Sequence, residues 1–274
     1  MKRASFLVVA LLAAPAAAEV PECRALTGGA KSVADHLLTT EHPYDCCDGT
    51  IADCLKRSPA CPLASRLAAF VCRRAASGQD RDTIHRAIER RAVSMMPGTK
   101  RHAFDLAAIP SAGSPAAKVK LVVFLCPRCP VCSKLGPDLY REVTTGRLAG
   151  KVTLHCRVFP VKSHPGSAEA GRAIAAAARI GKFWEFMLHA FREFDRYSPD
   201  ALPGWAAAVG IERAAFDAAV ADPATQAALV EAKKEGIRAG VEATPALFID
   251  GRRWHGDMDV ETLVDVLEEA GVAP

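Results

Sequence analysis

The chain has 274 residues and ten cysteines; 50% of its residues are hydrophobic, 24% are charged, and its formal net charge is +4. This composition is typical of a globular protein and excludes a disordered or collagen-like chain. The length fits one large domain or two smaller ones, and so small a net charge argues against a nucleic-acid partner.

The first 18 residues have the three parts of a signal peptide in the usual order. A positive start, Met1-Lys2-Arg3, precedes an apolar run from Phe6 to Ala14, and Ala16-Ala17-Ala18 provides the small residues of a cleavage site. The apolar run is too short to cross a bilayer. We therefore expect an exported, periplasmic protein with no membrane span after cleavage of residues 1–18, in a compartment where disulfides persist.

Residues 19–103 are predicted to form a small, cysteine-rich, all-α domain. Pro62 is placed at the start of one helix, and Asp82 is predicted to cap the next one. A core of this size needs additional stabilisation, which disulfides provide. The sequence does not choose among the pairings of the six cysteines in this region, which are Cys23, Cys46, Cys47, Cys54, Cys61 and Cys72.

Residues 104–274 alternate strands and helices, which predicts an α/β domain. Within them, a stretch rich in Pro, Gly and Ser at residues 109–116 is typical of a linker. The predicted elements, in chain order, are a strand at 118–125, a helix from Pro130 to about Gly146 with Pro137 inside it, a strand at 152–159, a helical insertion at about 163–240, a hairpin at 246–255 around Asp250-Gly251, and a last helix capped by Asp259.

Three cysteines lie between the first predicted strand and the helix that follows it, in the run Cys126-Pro-Arg-Cys129-Pro-Val-Cys132. Thiol–disulfide exchange requires a thiolate nucleophile and a second thiol close enough to resolve the mixed disulfide. At a helix start, unpaired backbone N–H groups and the helix dipole lower the pKa of the first thiol. The second thiol then lies one turn inside the helix, so this spacing predicts a redox-active pair.

The apolar strand and the run Phe124-Leu-Cys126-Pro-Arg-Cys129-Pro130-Val-Cys132 resemble the pattern F-x-D-x-x-C-P-x-C of DsbA-like oxidoreductases in the thioredoxin superfamily. The resemblance implies a thioredoxin-like fold with a helical insertion, preceded by the small all-α domain. It also implies that Cys129 is the nucleophile and Cys132 the resolving thiol. Cys126 stands where many relatives have Asp. The alternative pair, Cys126 with Cys129, also spells C-P-x-C and stays open.

A second part of the same resemblance lies near the C-terminus, where Thr244-Pro245 precedes the predicted hairpin. It is similar to the family's cis-proline loop, which implies a cis bond before Pro245 and a substrate backbone that pairs beside Thr244. The implied partners are protein thiols and disulfides and a redox partner protein in the membrane or periplasm. The implied mechanism requires no cofactor.

The motif departs from the family pattern at positions that tune the redox pair. The residues between the cysteines are Pro130 and Val131, so no histidine there stabilises the Cys129 thiolate; Arg128 is expected to replace part of that effect. We therefore expect a less oxidising couple than that of DsbA. Val123 stands where thioredoxin has a buried acid, so proton transfer to Cys132 must use water or another group. Thr244 is more similar to the isomerase branch of the family, DsbC and DsbG.

The remaining cysteines leave two questions open. Cys126 and Cys156 fall on predicted neighbouring strands, where they form either a second disulfide or two small buried hydrophobic residues. The alternative function, from another class, is a non-enzymatic module that binds or carries a metal through Cys126, Cys129 and Cys132. The histidines have no ligand spacing such as H-E-x-x-H, so no metal is assigned to them.

The cysteine-rich region carries Tyr44-Asp-Cys46-Cys47-Asp-Gly-Thr-Ile-Ala-Asp53 and then Cys61-Pro-Leu-Ala. Residues 43–92 thereby resemble the helical domain of the cytochrome c maturation protein CcmH. Pro43 replaces the first cysteine of that family's L-R-C-x-x-C, so the dithiol is not preserved. The resemblance implies a helical bundle and apocytochrome thiols as substrate; a disulfide-stapled docking or dimerisation domain without chemistry is the alternative.

Overall fold

The computed structural model describes residues 20–59 and 61–272. The signal peptide expected at residues 1–18 lies outside the described residues. The chain divides into two compact units between Glu89 and Arg90. This division precedes the domain boundary that we expected after residue 103, because the segment that begins at Arg90 packs with the second unit.

The first unit is helical, as predicted from the sequence. Pro62 begins its longest helix, with Cys61 as the N-cap residue. The next helix is capped by Asp80, whose carboxylate accepts a hydrogen bond from the Thr83 N–H at 2.8 Å. The predicted cap at Asp82 is wrong because that residue already lies inside the first turn. The helices are α1 (Pro21–Arg24), α2 (Gly28–Thr40), α3 (Ile51–Leu55), α4 (Pro62–Ala76) and α5 (Arg81–Met95), the last of which continues into the second unit.

Three disulfides hold the first unit together. Cys23–Cys72 links α1 to α4 across 49 residues, Cys46–Cys61 spans 15, and Cys47–Cys54 spans 7. Cys72 belongs to a buried apolar cluster around Phe70, and Cys54 and Cys61 belong to another around Leu67. Covalent links therefore reinforce two small cores, each of which buries few large side chains.

The second unit contains a five-stranded mixed sheet with the order β1-β3-β2-β4-β5. Strands β2 and β3 are parallel, and every other neighbouring pair is antiparallel. The strands are β1 (Ser111–Gly113), β2 (Val119–Leu125), β3 (Val152–Val158), β4 (Ala246–Ile249) and β5 (Arg252–Arg253).

The expected linker at residues 109–116 is wrong, since its centre forms the edge strand β1. Ser111 pairs with His155 and Gly113 with Thr153. Gly113 has a φ of +83°, and a Cβ there would lie 2.7 Å from the Val152 carbonyl oxygen. The close approach therefore requires glycine. A three-residue strand rich in small residues has no apolar alternation, which is why the sequence pattern resembles a linker.

The central strand β2 explains the position of the cysteine motif. Val123 pairs with Cys156 of β3 on one side and with Leu247 of β4 on the other. A strand flanked on both sides and buried on both faces reads as a continuous apolar run. The strand ends at Leu125, and the chain then turns into the helix that begins at Pro130.

Helices cover the sheet and form the predicted insertion. The long helix after the cysteine motif packs closely at Gly136, where a Cβ would lie 2.7 Å from the Phe191 ring. No helix among residues 20–59 and 61–272 is long and apolar enough to cross a membrane. The helices of this unit are α6 (Pro130–Thr144), α7 (Ser167–Arg179), α8 (Phe183–Arg192), α9 (Leu202–Ala208), α10 (Arg213–Ala221), α11 (Pro223–Arg238) and α12 (Val260–Val272).

Two predicted features near the C-terminus are present. Asp250 and Gly251 form the turn of the β4–β5 hairpin with φ values of +48° and +82°. Asp259 accepts a hydrogen bond from the Thr262 N–H at 2.8 Å and caps α12. A buried cation also holds the last helix. Arg91, in the part of α5 that belongs to this unit, donates to Asp265 at 2.7 Å and to Glu269 at 2.5 Å.

Candidate active site

The two cysteines predicted to carry the chemistry lie at the start of α6. Cys129 is the N-cap residue, Pro130 is the first helical residue, and Cys132 lies in the first turn. Of the four unpaired cysteines, Cys129 retains 4% of its surface, whereas Cys126, Cys132 and Cys156 retain none. This order of exposure makes Cys129 the sulfur that an incoming group can reach first.

The two sulfurs have opposite acidities. The pKa of Cys129 is lowered to about 5, first because the Cys132 thiol donates a hydrogen bond to its sulfur; backbone N–H groups of Cys132 and Val131 and the Thr244 hydroxyl act in the same direction against burial. The pKa of Cys132 is raised far above its ordinary value by that same hydrogen bond and by burial. Cys129 is therefore a thiolate at neutral pH, and Cys132 is a protonated thiol.

The loop before β4 lies against the nucleophile. The peptide bond between Thr244 and Pro245 is cis, as expected. The Thr244 carbonyl oxygen lies 3.4 Å from Cys129 Sγ and accepts a hydrogen bond when the sulfur is protonated. The buried Thr244 hydroxyl has no conventional hydrogen-bond partner among the described residues, so it is free to turn toward the thiolate. The loop thus offers the sulfur an acceptor or a donor according to its charge.

Arg128, expected to stabilise the thiolate, is engaged elsewhere. Its guanidinium carbon lies 4.4 Å from the Phe194 ring centroid and 4.3 Å from that of Tyr197. Arg128 Nη1 donates a hydrogen bond to the Phe194 carbonyl oxygen at 2.5 Å. The main contributions to the low pKa of Cys129 come from Cys132, Val131 and Thr244 instead. Arg128 therefore fastens the motif to the segment after α8.

The residues between the two cysteines form the surface around the nucleophile. Pro130 is exposed, and half of the Val131 side chain is open to solvent. Both residues line a groove of about 320 Å³ that continues to Met258. Val123, at the position of thioredoxin's buried acid, is fully buried and provides no proton acceptor. Proton transfer to and from Cys132 must therefore use other groups.

Cys126 lies at the end of β2, behind the nucleophile. Its Sγ is 3.2 Å from His164 Nδ1. The sequence does not predict a role for His164, since no local pattern marks a contact between residues 38 positions apart. Burial raises the pKa of the Cys126 thiol, while N–H groups of Arg128 and Val161 and the charge of Lys233 oppose that effect.

The second disulfide considered between Cys126 and Cys156 is not formed. Cys156 pairs across the sheet with Val123, three residues before Cys126, and three residues of strand span about 10 Å. A disulfide requires Cα atoms within about 7 Å of each other. Cys156 Sγ instead lies 3.8 Å from Met187 Sδ. Cys156 is therefore a small buried hydrophobic residue, the alternative to a disulfide.

The geometry gives no support to a metal module. Among residues 20–59 and 61–272, no group of three or more His, Cys, Asp or Glu side chains is placed to hold a metal ion. Cys126, Cys129 and Cys132 follow one another along a turn and a helix, and their sulfurs do not converge on one point with a fourth ligand. The arrangement supports thiol–disulfide exchange.

Comparison with solved structures shows the same fold. BdbD from Bacillus subtilis covers 64% of this chain and 99% of its own, with 16% identity and a TM-score of 0.56. The thiol-disulfide exchange protein α-DsbA2 from Wolbachia pipientis covers 61% and 88%, with 22% identity and a TM-score of 0.54. The catalytic domain of Proteus mirabilis ScsC covers 62% and 93%, with 19% identity and a TM-score of 0.54.

The curated proteins that match part of this chain include Na(+)/H(+) antiporters. The Na(+)/H(+) antiporter NhaA of Herminiimonas arsenicoxydans is 33% identical over 105 residues, which is 38% of this chain and 17% of the relative. NhaA 1 of Mycolicibacterium gilvum is 28% identical over 159 residues, 57% of this chain and 25% of the relative. The chain thus spans at most a quarter of the length of these two proteins.

A family model described as thioredoxin matches residues 108–269, more than half of the chain. The matched segment contains the whole sheet, the motif at the start of α6 and the cis-proline loop. The chain therefore belongs to the thioredoxin family, with the fold of the DsbA-like thiol–disulfide oxidoreductases.

Proposed function

We propose that this protein exchanges protein thiols and disulfides through Cys129 and Cys132. The observation that carries the proposal is the position of Cys129. Its sulfur has a pKa of about 5, lies at a helix start, and is next to the carbonyl oxygen and the hydroxyl of Thr244. A sulfur of this kind is a thiolate, the reactive species in disulfide exchange. The second thiol, one turn deeper, is stored in its protonated form.

The reaction proceeds in two balanced steps. The Cys129 thiolate attacks one sulfur of a substrate disulfide, the S–S bond breaks, and the substrate's other sulfur leaves as a thiolate. The Cys132 thiol then loses its proton and attacks Cys129 Sγ, which releases the reduced substrate and leaves a Cys129–Cys132 disulfide. The reverse sequence oxidises a substrate dithiol. Thr244 and Pro245 are proposed to hold the substrate backbone beside the sulfur.

We expect the redox couple of this protein to lie between those of two reference proteins. A nucleophile pKa of about 5 lies between about 7 for thioredoxin and about 3.5 for DsbA. Stabilisation of the thiolate favours the reduced form, so a lower pKa gives a more oxidising couple. We therefore expect a reduction potential between roughly −270 mV and −120 mV, the thioredoxin and DsbA values.

Export to the periplasm is part of the proposal. Three disulfides in the first unit support it, since such bonds persist in oxidising compartments. The likeness of residues 43–92 to CcmH stays a prediction, and so do a cytochrome thiol as substrate and a membrane or periplasmic redox partner. All six cysteines of the first unit are paired, so we propose a structural or docking role for this unit.

The test compares insulin reduction and reactivation of scrambled ribonuclease by the full chain and by Cys129→Ser. A matched control is Cys156→Ser, which removes another buried, unpaired thiol outside the motif. We expect the first variant to lose activity to the background rate and the second to keep it. Metal content is measured on the same preparations. Activity that persists in Cys129→Ser, or a stoichiometric metal that blocks thiol titration, would favour the metal module.

A further inference from the structure

The third cysteine of the motif has a geometry of its own. We propose that Cys126 is a second resolving thiol, which forms a disulfide with Cys129 when Cys132 does not, and that His164 accepts its proton. The inference rests on the proposed function, because it uses the mixed disulfide on Cys129. It assigns a reaction to two residues that the two-cysteine mechanism leaves without a role.

The backbone brings Cys126 within disulfide range of the nucleophile. The Cys129 N–H donates to the Cys126 carbonyl oxygen at 3.2 Å, which closes a turn across Pro127 and Arg128. The ends of such a turn have Cα atoms less than about 7 Å apart. Disulfides join Cα atoms at roughly 4.4–6.8 Å. The turn therefore holds the two Cα atoms at a separation that a disulfide can span.

A base is in place for this thiol. Cys126 Sγ lies 3.2 Å from His164 Nδ1, so the thiol donates to the imidazole when the ring carries its proton on Nε2. His164 is held by its own N–H, which donates to the Val161 carbonyl at 2.9 Å, and by its carbonyl, which accepts from Ser167 N–H at 3.1 Å. The backbone that carries the imidazole is thereby held in a hydrogen-bonded turn.

Three groups near Cys126 oppose the effect of burial and would stabilise a transient thiolate. N–H groups of Arg128 and Val161 are directed at the sulfur, and the Lys233 ammonium group adds a positive charge. Lys233 is itself fixed, since it donates to the Pro160 carbonyl and lies 4.0 Å from the Phe159 ring centroid. Burial keeps the thiol protonated at rest, so reaction requires the proton to leave.

The step balances without an added oxidant. In the mixed disulfide, the Cys126 proton moves to His164 Nδ1 and the Cys126 sulfur attacks Cys129 Sγ. The Cys129–substrate S–S bond breaks, the substrate leaves as a thiolate, and a Cys126–Cys129 disulfide forms. Attack by Cys132 on Cys129 afterwards moves the disulfide to the deeper pair and returns Cys126 to the thiol.

The experiment removes Cys132, so that only a second resolving thiol can complete the exchange. Reduced Cys132→Ala is mixed with excess dithiodipyridine, and the release of thiopyridone is followed in time. We expect a first equivalent from attack by Cys129 and a second from resolution, with a Cys126–Cys129 disulfide in the peptide map. The paired variant Cys126→Ala/Cys132→Ala is expected to stop after the first equivalent and to retain the pyridyl adduct.

Two control variants separate the outcomes, and one readout does not depend on a change at Cys126. Cys132→Ala/Cys156→Ala is expected to behave as Cys132→Ala, which shows that loss of any buried thiol is not the cause. His164→Gln in the Cys132→Ala background is expected to slow the second release at least about tenfold and leave the first unchanged. The peptide map of Cys132→Ala detects the Cys126–Cys129 disulfide in a protein that retains Cys126. The test therefore holds even if the Cys126 variant misfolds.

Three results have different meanings. A Cys132→Ala protein that keeps its pyridyl adduct and shows no Cys126–Cys129 disulfide overturns the role of Cys126, while the proposed function stands. Absence of the first release in both the wild-type chain and Cys132→Ala overturns the proposed function itself. An equal second release with histidine or glutamine at position 164 removes His164 from the step.

Discussion

The two units of this protein use cysteine in opposite ways. In the first unit all six cysteines are paired in three disulfides; in the second all four are unpaired. The first unit consists of short helices around two small apolar clusters. The second has a five-stranded sheet whose central strand is buried on both faces. Covalent links thus occur where the apolar core is small.

The comparison shows that the surroundings of a sulfur decide its role. Cys129 and Cys156 are both unpaired and nearly or fully buried, yet their pKa values move in opposite directions. Hydrogen bonds at the start of α6, led by that from Cys132, lower the pKa of Cys129. Burial inside the sheet raises the pKa of Cys156. The following predictions test this division of roles.

The largest expected effect is on the stability of the first unit. Cys23→Ala/Cys72→Ala removes the link that closes 49 residues, and we expect a loss of about 4 kcal/mol from the greater freedom of the unfolded chain. Removal of Cys47–Cys54, which closes 7 residues, is expected to cost less, about 2–3 kcal/mol. Urea unfolding followed by circular dichroism measures both.

The same variants test whether the chemistry belongs to the second unit. The chain's three tryptophans, Trp184, Trp205 and Trp254, lie in that unit, so their fluorescence reports its unfolding separately. We expect the fluorescence transition and the insulin-reduction rate to change little. A loss of activity as large as the loss of helical signal would contradict the separation of roles.

The next effect concerns what holds the second unit in place of disulfides. Arg91 is 1% exposed and contacts Asp265 and Glu269. Arg91→Met removes the cation of this buried ion pair, and loss of one partner of a buried pair typically costs about 3–5 kcal/mol. The neighbouring Arg90→Met is the matched control, since its pair with Asp257 is partly exposed and is expected to contribute less than about 1 kcal/mol.

Urea unfolding followed by tryptophan fluorescence measures the two arginine variants. Equal stabilities for Arg90→Met and Arg91→Met would show that the buried ion pair stabilises the second unit no more than the partly exposed pair does. A selective loss in Arg91→Met, with the activity of the folded fraction unchanged, is the expected result.

The smallest effect is on the acidity of the nucleophile. Thr244→Val removes a hydroxyl that lowers the pKa of Cys129, so we expect this pKa to rise above about 5. The hydrogen bonds of Cys132 and Val131 remain, so the pKa stays below that of an ordinary thiol. Thr244→Ser keeps the hydroxyl and is expected to match the wild type. The pKa is measured as the pH midpoint of Cys129 alkylation. An unchanged midpoint in Thr244→Val would show that this hydroxyl does not stabilise the Cys129 thiolate.

Much of the site could be predicted from the sequence because its parts depend on local geometry. A helix start is defined by the preceding strand, by Pro130 as the first helical residue and by the spacing of Cys129 and Cys132. The hydrogen bonds at this helix start lower the pKa of the first thiol. The β4–β5 turn was similarly fixed by Asp250-Gly251, the residue types that accept positive φ.

The features that were missed depend on contacts between distant residues. The edge strand β1 exists only because β3 pairs with it, and its own sequence is typical of a linker. Arg128 was expected beside the thiolate, but two aromatic rings about 66 positions away bind it instead. The Cys126–His164 contact and the disulfide pairings likewise depend on the packed fold.

The most direct test of the central claim is the pH dependence of Cys129 alkylation. The reduced chain is treated with iodoacetamide between about pH 3 and 10, and the rate at Cys129 is resolved by peptide mapping. The rate follows the thiolate fraction, so we predict a midpoint near pH 5, a plateau above it and a tenfold fall per pH unit below it. A midpoint near pH 8.5, the value of an ordinary cysteine, would contradict the assignment of Cys129 as the nucleophile.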